Sequence, residues 1–115
     1  MKLRLRANMK WLTRIEEIML LAIWKLKDQA YGIAIREQVE RDTGMRWLSG
    51  AIYVSLSRLK TSGYVKTRKA DKSAELGGRP RIYYTLSSQG MKKLISLQTM
   101  NKTLWADVPD LRHES

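Results

Sequence analysis

The chain has 115 residues, 43% of them hydrophobic, with no cysteine and 22 basic against 11 acidic side chains, a net charge of +11. That length buries roughly two thirds of the surface an unfolded chain exposes, enough for one small core, and the hydrophobic content excludes disorder. Zero cysteines exclude a disulfide framework and any thiolate nucleophile or ligand, and the charge predicts a polyanionic partner.

The segment Met1 to Trp11 alternates Lys2, Arg4, Arg6 and Lys10 with Leu3, Leu5 and Met9 and holds no acid. It reads as a basic arm over residues 1–12, either loosely packed, contacting nucleic acid, or completing a dimer. It lacks the apolar stretch and cleavage site of a secretory signal, so a cytoplasmic location is expected.

Thr13-Arg14-Ile15-Glu16 has the form of a capping box. The helix it opens should run to about Lys27, with Ile15, Ile18, Met19, Ala22, Ile23 and Leu26 on one face and Leu20, Leu21 and Trp24 widening it. The longest apolar run, Ile18 to Trp24, is too short for a bilayer and is expected to be a buried face; no membrane role is assigned. Asp28 to Gly32 reads as a turn. A second helix from about Ile33 to Thr43 follows, closed by Gly44, with Ile35 and Val39 inward and Arg36, Glu37, Glu40 and Arg41 on a solvated face with possible pairing four residues apart. Met45 to Leu48 is a connector.

The third helix, Gly50 to Thr61, buries Ile52, Leu56 and Leu59 and turns Ala51, Tyr53, Ser57, Lys60 and Thr61 outward. Gly63 stops it. Strand Tyr64 to Lys69, a glycine-containing turn and strand Arg79 to Leu86 make a hairpin with a basic tip; Pro80 belongs near a strand end. Ser87 is a plausible N-cap for a last helix carrying Met91, Leu94, Ile95, Leu97, Met100, Leu104 and Trp105, which Pro109 or thereabouts should end. The fold class is mainly α with a small β-hairpin: a winged helix-turn-helix at 13–86, a C-terminal helix at 87–108 and a tail at 109–115.

The candidate site residues follow from this layout. Tyr53 lies where a phenol donates to a phosphate, or is a half-buried packing residue. Ser49 and Ser57 reach base edges or phosphates; Gly50 and Ala51 are small enough to let the helix end approach the backbone. Lys60 is a phosphate contact, and Arg58 lies on the flank, where an acid of another helix is an alternative partner. Arg68, Lys69, Lys72 and Arg79 are the wing's phosphate contacts, within a basic cluster that also reads as a solvated edge. Leu94, Leu97, Met100 and Leu104 form either core or a dimer seam, and Trp105 either packs or lines an effector pocket. No catalytic residue, metal cluster or cofactor site is visible: the one histidine is in the tail, and Gly77-Gly78 is a hairpin turn. An RNA-binding or protein-docking winged helix is the competing reading.

These residues resemble the PadR family of bacterial winged-helix transcriptional regulators. The resemblance rests on G-A-I-Y-V-S-L-S-R-L, with Gly50, Tyr53, Leu56, Arg58 and Leu59 in register with the family's recognition helix. It rests also on Gly77-Gly78-Arg79-Pro80-Arg81-Ile82-Tyr83-Tyr84-Thr85-Leu86 followed by Gly90, which is similar to its wing strand and helix entry, and on Tyr31-Gly32. It implies a homodimer with the last helix against the partner's helices, the third helix in the major groove of double-stranded DNA and the wing at the flanking minor groove. It further implies a repressor, with a small aromatic effector in several members. Val54, Ala51 and Ser57 depart from the family's frequent proline, threonine and lysine.

Overall fold

The computed structural model describes residues 12–70 and 81–113. Residues 1–11 of the basic arm, with Lys72, Gly77, Gly78, Arg79 and Pro80, lie outside them. Helix α1 spans Arg14–Leu26. It begins with the expected capping box: the Glu16 amide donates to the Thr13 hydroxyl at 3.2 Å, and the Thr13 amide donates to Glu16 Oε1 at 2.9 Å. A 3₁₀ turn at Lys27–Gln29 leads into α2, Gly32–Thr43, and Gly44 closes α2 at φ 70°. Helix α3 spans Ser49–Thr61, and Gly63, at φ 84°, redirects the chain into strand β1, Val65–Lys69.

Strand β2, Ile82–Leu86, pairs antiparallel with β1, with Val65 opposite Leu86 and Lys69 opposite Ile82. The second strand therefore starts later than Arg79. Its other edge is covered too: the Tyr84 amide donates to the Ala30 carbonyl at 2.8 Å, and Tyr31 forms an isolated antiparallel bridge with Tyr83. The segment read as a plain turn before α2 is thus a short third rung of the sheet, which answers the hydrogen-bonding demand of the exposed edge.

Helix α4 spans Ser88–Trp105. Its N-cap is Ser87, which accepts from the Gly90 amide at 3.0 Å and donates to the Gly63 carbonyl. It ends four residues before Pro109, the spacing at which a proline ring would collide with the Trp105 carbonyl, and a 3₁₀ turn at Leu111–His113 follows. Gly90 is required where it stands, because a Cβ there would overlap the backbone carbonyl of Tyr64.

The core joins Met19, Leu20, Ala22 and Ile23 of α1 to Ile35 and Val39 of α2, Ile52, Leu56 and Leu59 of α3, Ala30, Val65 and Leu94. Helix α1 is central, touching α2, α3, α4 and β2. It is not buried all round, however: Leu21 and Trp24 are 39% and 46% exposed. The Ile18 to Trp24 run is therefore two faces, one in the core and one left on the surface.

Candidate nucleic-acid interface

The α2–connector–α3 unit is fixed by a few polar contacts. The Thr43 hydroxyl donates to the Val39 carbonyl at 2.8 Å and accepts from the Met45 amide and the Trp47 indole. Glu40 accepts from the Trp47 amide at 2.8 Å and from Arg36 Nε at 3.4 Å. The Trp47 amide, followed by the Arg36 charge, holds the Glu40 carboxyl below its ordinary value. Arg36 also donates through Nη1 to the Ser49 hydroxyl oxygen at 2.8 Å. That bond uses one of the two Ser49 lone pairs and anchors the hydroxyl at the start of α3. The Arg36–Glu40 pair is the pairing four residues apart that the helix spacing allows; no spacing rule relates Arg36 to Ser49, thirteen residues on.

On α3 the buried residues are Ile52, Ser55, Leu56 and Leu59. Ser55 is the one the hydrophobic pattern misses. Ser49, Gly50, Ala51, Tyr53, Ser57, Arg58 and Lys60 are all exposed, on one continuous side of the helix. Tyr53 is 49% exposed and lies over Gly32, where a Cβ would overlap its phenol. Tyr53 thus packs on the start of α2 while keeping half its surface in solvent. Arg58 makes no ion pair among the described residues.

In the wing, Arg68 and Lys69 are exposed on β1. The Arg68 guanidinium lies 4.4 Å from the ring centre of Tyr83, that of Arg81 4.1 Å from the ring of Tyr31, and the two rings meet edge to face at 5.6 Å. Two cations are thereby stacked on an aromatic pair that ties the wing to the start of α2. For Arg81 the sequence leaves a nucleic-acid contact and a solvated edge equally open, and the Tyr31 partner, from a distant part of the chain, is not legible in it. Burial, with Tyr53 nearby, pushes the Tyr84 hydroxyl above its ordinary value.

Away from this surface, α1 and α4 enclose an open apolar groove of about 610 Å³ lined chiefly by Leu21, Trp24, Met91, Leu94 and Ile95. Asn101 donates to Glu17 Oε2 at 2.9 Å across its end. Of the expected seam residues, Leu94 lies in the chain's own core at 9% exposure; Leu97 and Met100 are half-buried, and Leu104 and Trp105 are 62% and 60% exposed. Trp105 does not line the groove; Trp24 does. Among the described residues there is no cluster of three or more His, Asp or Glu able to hold a metal, and no helix long and apolar enough to cross a membrane.

Solved structures share this architecture. A PadR-like transcription factor from Bacteroides fragilis is 25% identical, with 93% of each chain covered and a TM-score of 0.70. A PadR family transcription regulator from Clostridium difficile is 24% identical, over 81% of this chain and 92% of that one, with a TM-score of 0.63. RosR of H. salinarum is 23% identical, over 88% and 84%, with a TM-score of 0.69. No curated protein matches in sequence. The model of the transcriptional regulator PadR-like family matches residues 20–96, which takes in the second half of α1, the helix-turn-helix, the wing and the first half of α4. This winged-helix chain belongs to the PadR-like family of transcriptional regulators.

Proposed function

We propose that the protein is a homodimeric, sequence-specific DNA-binding repressor of the cytoplasm that acts on a pseudo-palindromic operator. The outward side of α3 enters the major groove, and the wing lies against the flanking minor groove or backbone. The observation that carries this reading is the exposed side of α3, from Ser49 to Lys60, flanked by a wing whose Arg68 is stacked in place. Ser49, Ser57, Gly50 and Ala51 face the base edges, while Tyr53, Arg58, Lys60, Arg68, Lys69, Lys72 and Arg79 meet phosphates. The net charge of +11 supplies the long-range attraction.

The groove between α1 and α4 supports the dimer. Leu21, Trp24, Met91 and Ile95 leave a contiguous apolar surface that a monomer would expose to water. The C-terminal helix, through Leu97, Met100, Leu104 and Trp105, meets the same groove of a second copy, and two-fold symmetry then sets two α3 helices about one turn of DNA apart. A small aromatic effector would lie in that seam beside Trp24. Repression follows from occupancy of the operator.

In vitro selection from a random duplex library, with the mass of the complex measured, tests the reading. A pseudo-palindromic sequence bound by two chains is expected. Equal retention of all duplexes that vanishes at modest salt would refute it. Trp24→Asp with Ile95→Asp should yield monomers that bind one half-site weakly.

A further inference from the structure

The start of α3 is poorly chosen for a helix. Its N-cap is Leu48, whose side chain caps no amide, although Ser, Thr, Asp or Asn at that position would. Two residues later stands Gly50, unfavourable in a helix relative to alanine. Nothing in the fold requires it: its φ is not positive, and a Cβ there would meet nothing within 4 Å. Gly90, by contrast, is forced by the backbone carbonyl of Tyr64, and Gly32 is overlain by the Tyr53 ring. Leu48 is likewise unused by the fold, at 80% exposure.

Gly50 opens a stripe. Residues four, seven and eleven positions on, Val54, Ser57 and Thr61, share its side of the helix, opposite the buried Ile52, Leu56 and Leu59. All four are exposed, and Val54, at the centre of this outermost line, is 55% exposed. Val54 is thus a bare apolar side chain on the glycine's own line, and Leu48, at the N-cap just before the helix, is a second one exposed at its mouth. Around them the chain supplies cations: Arg46 before Leu48, and Arg58 and Lys60 on the helix. A neutral apolar protein surface would match the apolar groups but leave these cations unanswered. The complement is a polyanion with apolar groups at its floor, and the thymine 5-methyl is the apolar group that the DNA major groove presents.

We propose that Leu48 and Val54 read thymine 5-methyl groups in the major groove, and that Gly50 carries no side chain so that the groove wall can close on the helix between them. This rests on the DNA-binding reading above and deepens it: the operator half-sites contain thymines at fixed positions facing these two side chains. It accounts for the two local choices that work against the helix, Leu48 and Gly50, as demands of the ligand.

The test replaces thymidine by deoxyuridine, one position at a time, in the selected operator, which removes a methyl group and leaves base pairing intact. At one or two positions in each half-site the affinity of the wild-type chain should fall about fourfold, the value of one buried methyl-sized group. Val54→Ser should weaken the unmodified operator to a similar degree and become indifferent to deoxyuridine at its position. Leu48→Ser should do the same at a second position while raising the melting temperature by about 4 °C, because serine caps the helix. An operator in which every thymidine can be replaced without loss overturns the proposal and leaves the DNA-binding reading intact, with the apolar stripe free for a protein contact. Undiminished deoxyuridine sensitivity in both variants also overturns it. Failure of wild type to enrich any duplex would instead remove the reading on which it rests.

Discussion

Helices α1 and α3 have the same length, 13 residues each, and stand against each other in one core, yet they begin in opposite ways. Helix α1 has a complete capping box and two acids, Glu16 and Glu17, in its first turn, complementing the positive end of the helix dipole. Helix α3 has a leucine at its N-cap and no acid in its first turn. Its free amides and positive end are left without a side-chain partner of its own. The first arrangement satisfies the helix internally; the second leaves it to be completed from outside. In α1 the sequence serves the fold; in the outer half of α3, on the DNA-binding reading proposed above, it serves the ligand.

Substitutions can break that comparison. The largest effect is expected inside α1: Leu20→Ala should lose about 3 kcal/mol of stability, since Leu20 is 0% exposed. Ser57→Ala on the outside of α3 should stay within about 0.5 kcal/mol while weakening operator binding; denaturant titration and binding assays on the two variants check the contrast. The glycines come next. Gly90→Ala drives a Cβ into the Tyr64 carbonyl and should cost about 2 kcal/mol, whereas Gly50→Ala should raise stability by about 0.5–1 kcal/mol and bind duplex less tightly. If both glycines proved structural, the division between the helices would fail.

Thr13→Ala should cost about 1 kcal/mol through the lost cap, measurable as a shift of the thermal midpoint. The smallest effect belongs to Glu40, whose carboxyl is held below its ordinary value first by the Trp47 amide and then by Arg36. A lowered value means the charged latch stabilises the fold above the ordinary glutamate pKa, and that this contribution disappears as pH falls through the lowered one. Glu40→Gln should therefore differ from wild type at neutral pH, and the gap in thermal midpoint should close on acidification. A gap that persists in acid would show that the Glu40 charge does not hold the connector.

What could be read from the sequence was whatever is local or periodic. The capping box at Thr13, the ends at Gly44 and Gly63, the inward set Ile52, Leu56 and Leu59, and the Ser87 cap each depend on residues within a turn or two of one another. The outward side of α3 followed as the complement of its buried side. Only the tertiary structure decided that Tyr31 completes the sheet and carries Arg81, that Arg36 anchors the Ser49 hydroxyl, that Tyr53 lies on Gly32, and that Leu94 belongs to the core while Leu21 and Trp24 do not. Each of these depends on which elements meet in space. Periodicity gives the direction of a side chain from its own helix axis, but says nothing of what lies at the other end.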